Sequence, residues 1–232
     1  MAKTSSRREV LFAAMGAGLL AGAAPAPQKK RPAGPEVTPA EDLMREHGLL
    51  NRILLVYEEG LRRIEAGQPV SASVFSSSSE IVRSFIEEYH EKLEEENLFP
   101  RFEKAKKLVD LVAVLRQQHH AGRLVTANIQ KLANPASLAR APERKSLAAS
   151  LRQFIRMYRP HEAREDTILF PALHEIVTAK EYEELGDAFE DREHRLFGGE
   201  GFEKMVERVA GIERELGIYD LAGFTPWSPS RV

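Results

Sequence analysis

Apolar residues recur every three or four positions along most of the chain, which is the spacing of one face of an α-helix. This pattern predicts four long helices: one from Pro39 to Gly67, a second over 76–105, a third over roughly 108–132 and a fourth over about 142–177. Two shorter helices are predicted over about 180–197 and 201–216. No window alternates as a half-buried strand would. We therefore predict an all-α protein, an antiparallel up-down four-helix bundle with one or two extra C-terminal helices.

Each predicted long helix carries one histidine among the apolar residues of its inward face. Two of these helices also carry a glutamate one turn after the histidine, which places both side chains on the same face. The predicted faces are Leu43, His47, Leu50 and Leu54; Ile86, His90, Leu93, Glu94 and Asn97; Val112, Leu115, His119, Gly122 and Ile129; and Met157, His161, Glu165 and Ile168.

The spacing of these histidines indicates an internal repeat. His47 lies 43 residues before His90, and His119 lies 42 residues before His161. The stretch "HEKLEEENLFP" from His90 also returns as "HEAREDTILFP" from His161, 71 residues later. Two helix pairs of one design, facing each other, would bring four imidazoles and two carboxylates to one point. The Leu-Phe-Pro of each stretch is interpreted as core packing followed by a helix stop.

A metal site would remove the cost of burying those two carboxylates, which is several kcal/mol for an unpaired charge. The chain has no cysteine, so any metal must be held by histidine and carboxylate. Carboxylates suit hard ions and imidazole suits iron, which favours a pair of iron ions, with manganese as the alternative. The net charge of −2, without a dense Lys/Arg run, argues against a nucleic-acid partner.

At these residues the chain resembles the hemerythrin-like family, the HHE cation-binding domain. That family has a four-helix bundle with a non-haem di-iron centre, and its second and fourth helices carry His-x3-Glu, the fourth followed by Leu-Phe-Pro. The resemblance covers about residues 39–177 and implies as ligands His47, His90, Glu94, His119, His161 and Glu165, with the two glutamates bridging the irons.

The sequence departs from the oxygen-carrying hemerythrins at two ligand positions. Those proteins have two histidines four residues apart on the third helix, where this chain has Arg123 four residues after His119, and His-x4-Asp on the fourth helix, where this chain has His-x3-Glu ending in Glu165. One imidazole fewer makes the site more open and closer to the iron-sensing or regulatory members. Weaker candidates for the vacant position are Glu91 and Glu162, and His120 and His194 are further, less favoured ligands.

Three functional classes fit this ligand set. The leading hypothesis is a protein that binds dioxygen, nitric oxide or peroxide at a di-iron centre. The alternatives are iron storage or sensing, and an enzyme that activates peroxide or oxygen. A metalloprotease is disfavoured because neither repeat has the second histidine of H-E-x-x-H.

The N-terminal segment has the features of an export signal. "SRREVL" resembles the twin-arginine signal, departing from it only at Val10 and Leu11, and is followed by a short apolar stretch and the A-x-A site at Ala24 to Ala26. We therefore predict a signal peptide over 1–26, a flexible linker over 27–38, a bundle over 39–177, additional helices over 178–216 and a tail over 217–232. The mature protein would be periplasmic or otherwise exported, with no stable membrane insertion. An uncleaved signal would instead tether it to the membrane.

Overall fold

Seven helices account for most of residues 37–226, the part of the chain that the computed structural model describes, and no strand occurs there. The predicted signal peptide, the linker up to residue 36 and residues 227–232 of the tail lie outside the described residues. The helices are α1 (Pro39–Glu65), α2 (Ala72–Ile81 continuing to Phe99–Ala105), α3 (Val109–Leu132), α4 (Pro135–Ala139), α5 (Ala141–Arg164 continuing to Phe170–Leu173), α6 (Ala179–Phe197) and α7 (Gly201–Leu216).

Side-chain caps fix where several of these helices begin. Thr38 Oγ1 accepts a hydrogen bond of 3.2 Å from the backbone N–H of Glu41, so α1 starts at the predicted residue. Helix α2 begins at Ala72, four residues before its predicted start, because Ser71 rather than a later serine caps it. Thr178 and Glu181 form a capping box at the start of α6.

The long helices pack around one apolar core. Helix α5 lies along both α1 and α3, and α2 contacts α1 and α3. Two of the largest side chains at the centre, Tyr57 and Phe154, meet edge to face with their ring centroids 5.3 Å apart. Within the described residues, no helix is long and apolar enough to cross a membrane.

Helices α6 and α7 cover the outer side of α1 and α2. Phe197 and Phe202 from this pair pack against Phe85 of α2, and Arg52 of α1 donates a hydrogen bond of 2.9 Å to Glu213 of α7. As a result α1 is buried on two sides, which is why Leu49 and Val56 are as inaccessible as the core-facing Leu43.

Helices α2 and α5 each contain a π-helical turn directly after their His-x3-Glu, at Glu94–Leu98 and Glu165–Leu169. Each π-helical turn contains one residue more than an α-helical turn. The next buried residue therefore lies four positions after the glutamate, and not three. The prediction that Asn97 and Ile168 lie on the inward face is therefore wrong. Leu98 and Leu169 are buried instead, and Ile168 is 41% exposed.

The Leu-Phe-Pro segments do not end their helices. Pro100 and Pro171 are the second residues of the α-helical segments that follow the π-helical turns, and these segments continue to Ala105 and Leu173. Pro160 likewise lies inside the α-helical stretch that runs to Arg164. The longest π-helical stretch is Val82–His90, on α2.

Candidate metal centre

The structure brings the six predicted ligands together in the core, as two adjoining groups. His47, His90 and Glu94 form one group, and His119, His161 and Glu165 form the other, each with ligand atoms within 4.8 Å of one another. No side chain of the six is more than 3% exposed. Water is thus largely excluded, which strengthens every electrostatic interaction inside the cluster.

The histidines meet in pairs through their Nε2 atoms. Those of His47 and His90 lie 3.0 Å apart, and those of His119 and His161 lie 3.2 Å apart. Helix α1 faces α2 in the first pair, and α3 faces α5 in the second. The two copies of the repeat thus contribute one imidazole pair each.

The two glutamates connect these pairs. Glu94 Oε2 lies 3.8 Å from Nε2 of His90 and 3.4 Å from Nε2 of His119. Glu165 Oε2 lies 3.0 Å from Nε2 of His161 and 3.4 Å from that of His47. Each carboxylate therefore contacts one imidazole from each pair, which is the placement of a bridging carboxylate.

A hydrogen bond at the outer nitrogen, Nδ1, holds each imidazole in place. His47 pairs with Asp166 at 2.7 Å, and His90 pairs with Glu46 at 2.6 Å. The two histidines of the second copy are held in the same way: His119 pairs with Glu95 at 3.1 Å, and His161 pairs with Gln118 at 2.9 Å. Such partners fix the ring orientation and leave Nε2 to face the centre.

Sequence reasoning missed these four partners, although the repeat contains a signal for them. Glu46 and Gln118 each stand immediately before the first histidine of their copy, and each holds the second histidine of that copy. Glu95 and Asp166 each stand immediately after the bridging glutamate and hold the first histidine of the other copy. Extending the repeat by one residue around each ligand would have found them.

The phenylalanines of the two Leu-Phe-Pro segments stack on imidazoles. Phe170 lies over His47 with ring centroids 5.4 Å apart, and Phe99 lies over His119 at 5.5 Å. Both were predicted to be plain core residues. Their contact restricts the rotation of the two rings and keeps one face of each in an apolar environment.

The two central glutamates, Glu94 and Glu165, have opposite pKa shifts. Burial and the carboxylate of Glu165 raise the pKa of Glu94 well above its ordinary value. Burial also opposes ionisation of Glu165, but the adjacent imidazoles of His161 and His47 bring its pKa well below the ordinary value. The two carboxylates therefore readily share one proton, and ionising both of them without a bound cation is energetically unfavourable.

The donor set fits a metal centre better than a purely polar core. Both carboxylate oxygens of Glu94 and both of Glu165 are buried without a hydrogen-bond partner. Four such atoms in one core are costly unless something positive binds them. Imidazole nitrogens and carboxylate oxygens at this spacing can hold one or two cations of the kind that accept mixed N and O ligands.

Glu91 and Glu162, the weaker candidates, are buried beside the centre. Among residues 37–226, Glu91 forms a third group of potential metal ligands with Glu95 and His119. Both candidates also have hydrogen-bond partners of their own. Glu91 accepts hydrogen bonds of 2.7 Å from both Tyr158 and Arg123. Glu162 accepts a hydrogen bond from the side-chain amide of Asn51. Arg123 also donates to Glu95 at 2.6 Å.

The remaining candidates do not reach the centre. His120 is exposed on α3, whereas His119 is buried. His194 is exposed near the end of α6. Neither belongs to a group of potential metal ligands among residues 37–226.

Comparison with known proteins agrees with this site. The family model described as hemerythrin HHE cation binding domain matches residues 38–173. One uncharacterized protein of Mycobacterium bovis and two of Mycobacterium tuberculosis strains are each 47% identical to this chain over 231 residues, which is 95% of this chain and 91% of each relative. No solved structure matches the chain. The matched residues span both copies of the repeat and end with α5, so α6 and α7 lie beyond them.

Proposed function

The chain belongs to the hemerythrin HHE cation-binding family, a family of metal-binding proteins, and we propose that it holds two iron ions between its four histidines and two glutamates. Manganese is the alternative metal. We also propose that α1, α2, α3 and α5 form the antiparallel up-down bundle that surrounds this centre.

One observation carries the proposal: two His-His-Glu groups adjoin in a core where four carboxylate oxygens have no other partner. In this arrangement His47 and His90 would bind one ion, and His119 and His161 the other. Glu94 and Glu165 would bridge the two ions. Iron accepts both imidazole and carboxylate, whereas zinc sites in proteins are mostly tetrahedral and calcium prefers oxygen ligands alone.

We propose that the centre binds a small ligand, namely dioxygen, nitric oxide or peroxide. Two imidazoles and two shared carboxylates leave coordination positions that a small molecule can take. Iron would supply the electrons for binding or reducing such a ligand. The chain's own residues fix the imidazoles, exclude bulk water and keep large molecules out, because the whole cluster is buried.

Arg123 favours a centre with an open position for a small ligand over the complete set of histidine ligands that oxygen carriers have. It stands where those carriers have a further imidazole, and its guanidinium is held by Glu91 and Glu95 at 2.7 and 2.6 Å. A guanidinium stays protonated and offers no lone pair to a metal. This position therefore supplies a fixed positive charge beside the centre.

Export is the remaining part of the proposal. It rests on Arg7, Arg8 and the A-x-A site, which resemble a twin-arginine signal. That route carries folded proteins, so the centre would be loaded with metal before the protein leaves the cytoplasm.

The proposal is tested by metal analysis of the purified protein, together with optical spectra of the anaerobically reduced form before and after adding dioxygen, nitric oxide or peroxide. We expect two iron ions per chain and a spectral change with at least one ligand. Protein that is metal-free and fully stable after growth with iron would overturn the metal site. Bound iron whose spectrum none of the three changes would contradict small-ligand binding and favour storage.

A further inference from the structure

We infer that the two metal positions are unequal, and that the position between His47 and His90 binds its ion more tightly and fills first. This rests on the proposed two-metal centre. The inference comes from the hydrogen-bond partners of the four imidazoles. These partners occupy equivalent positions in the two copies of the repeat, but they are not all of the same charge type.

The first imidazole pair is held by two carboxylates, from Asp166 at 2.7 Å and Glu46 at 2.6 Å. The second pair is held by one carboxylate and one amide, Glu95 and Gln118. The clearest break is between Glu46 and Gln118, which occupy the same place in the two copies. One is an acid and the other is its neutral isostere.

Cations compensate the single carboxylate of the second pair. Glu95 accepts hydrogen bonds from both Arg123 and Lys92. Within residues 37–226, by contrast, neither Glu46 nor Asp166 has a lysine or arginine within 4.0 Å, and histidine is the only ion-pair partner of each. The imidazoles of the first position therefore have more acidic partners, and fewer basic groups beside those partners, than the imidazoles of the second.

The next contacts extend the same imbalance. Glu91 and Glu162 are equivalent in the repeat, since each follows the second histidine of its copy. Glu91 is paired with the guanidinium of Arg123, whereas Glu162 accepts a hydrogen bond from the amide of Asn51. Asn51 and Arg123 are themselves equivalent, each four residues after the first histidine, so this place in the repeat carries a positive charge in the second copy and none in the first.

A carboxylate at Nδ1 makes an imidazole a stronger metal ligand than an amide does, because it draws the N–H proton and leaves more electron density at Nε2. Loss of such an outer partner costs about 10- to 100-fold in metal affinity. Glu46 should contribute most of the difference, since its side chain is fully buried, whereas that of Asp166 is 33% exposed and screened by water.

The test exchanges the two equivalent residues. Metal-depleted full-length protein is titrated anaerobically with ferrous iron by calorimetry, for the wild type, Glu46→Gln, Gln118→Glu and the double exchange. Glutamine at 46 still offers an oxygen to His90, as Gln118 does to His161, so the hydrogen bond is kept while the charge is removed. Glu41→Gln, an exposed change of the same charge on α1, is the control.

We expect two phases in the wild type, separated by about tenfold or more in affinity. Glu46→Gln should weaken the tighter phase alone by about 10-fold, and Gln118→Glu should strengthen the weaker phase by a similar factor. A gain of affinity in Gln118→Glu is an effect that a merely structural role would not produce. The double exchange should restore two phases, and Glu41→Gln should change nothing.

Two equal phases in the wild type, or a Glu46→Gln change that falls on the weaker phase, would overturn the inference while leaving the two-metal site in place. Failure of the wild type to bind iron would overturn the proposed function itself. Binding of a single ion that Glu46→Gln weakens and Gln118→Glu leaves unchanged would support the inference but contradict the second metal.

Discussion

His47 and Asp166 lie on different helices, 119 residues apart in sequence, and are joined by a contact of 2.7 Å between Nδ1 and Oδ1. The preceding residue, Glu165, reaches the opposite nitrogen of the same ring at 3.4 Å. Consecutive side chains on a helix diverge by about 100°. The ring of His47 fits between the two, so one π-helical turn of α5 holds it at both nitrogens.

The first prediction concerns this contact. Asp166→Ala should weaken metal binding by about 10- to 100-fold, because His47 loses the group that orients and polarises its ring. Asp166→Asn, which keeps an acceptor but loses the charge, should have a smaller effect. Ferrous titration of the metal-depleted protein measures both. Asp187→Ala, an exposed change on α6, serves as the control, and equal losses in all three variants would contradict a role for the contact.

The second prediction is that Glu94→Gln has opposite effects on the metal-free and metal-bound protein. Without metal, the change removes a buried carboxylate that Glu165 repels, so the free energy of unfolding should rise by about 1 to 3 kcal/mol. With metal, the amide offers one oxygen and no charge, so it cannot bridge two ions as a carboxylate does, and iron occupancy should fall by more than about tenfold.

Urea unfolding with and without chelator, alongside metal analysis, separates these two effects. Glu96→Gln on the same helix changes an exposed residue that pairs with Arg192, and should leave occupancy intact. Full iron occupancy in Glu94→Gln would contradict the bridging role.

The sequence predicted the helices and the six central side chains because both depend on periodicity. Long amphipathic stretches set the helices, and the duplicated spacing around His90 and His161 selected the residues that now form two groups. The inward position after each glutamate was predicted wrongly. A π-helical turn shifts the periodicity by one residue, so Leu98 and Leu169, rather than Asn97 and Ile168, face the core.

The periodicity of a regular helix does not point to the outer partners, although the repeat around the ligands does. Glu46, Glu95 and Asp166 are neighbours of ligands, and a 3.6-residue period assigns such positions to another face. They reach the imidazoles because rings from other helices enter beside them. Tertiary packing, which no single-helix pattern contains, decides these contacts.

The third prediction follows from Asp42, whose pKa is raised to about 7 by burial and by the nearby carboxylates of Glu46 and Glu193. A raised pKa in an acid means that the folded state keeps a proton that the unfolded state releases above about pH 4. The stability of the metal-free protein should therefore fall as pH rises from about 4 to 7, by at most about 1.4 kcal/mol per pH unit from this group.

Asp42→Asn should remove that slope. The variant and the wild type should have similar free energies of unfolding at pH 4, and the variant should be the more stable at pH 8. Urea titrations of metal-free protein at both values test this. The contact of Asp42 with Arg45 is 3.4 Å long and lowers the pKa of Asp42 less than burial raises it. A variant less stable than the wild type at pH 8 would contradict the sign.

The fourth prediction concerns export. Replacing both Arg7 and Arg8 with lysine keeps the charge but removes the arginine pair that the twin-arginine signal requires. The full-length protein should then remain in the cytoplasm, whereas the wild type should appear in the exported fraction without its first 26 or so residues. Cell fractionation with N-terminal sequencing checks both. Lys3→Arg is the control, and equal export of the double lysine variant would overturn the twin-arginine route.

The fifth prediction uses the close approach of α3 and α5 at Gly122. A methyl group there would lie 2.1 Å from the hydroxyl oxygen of Tyr158 and 2.9 Å from its ring carbon Cζ. Gly122→Ala should therefore displace Tyr158 from Glu91 and lower the free energy of unfolding by about 1 to 3 kcal/mol. Gly48→Ala on α1, where nothing lies within 4 Å, should instead raise it by up to about 1 kcal/mol through helix propensity.

Combining Gly122→Ala with Tyr158→Phe identifies the cause. Tyr158→Phe alone should cost about 1 to 2 kcal/mol, since Glu91 loses a hydrogen bond of 2.7 Å inside the core. The double variant should be more stable than the sum of the two single changes predicts, because the hydroxyl that clashes is already gone. Recovery should be partial, since Cζ still lies too close. Strict additivity in urea unfolding would show that the methyl group acts on some other contact.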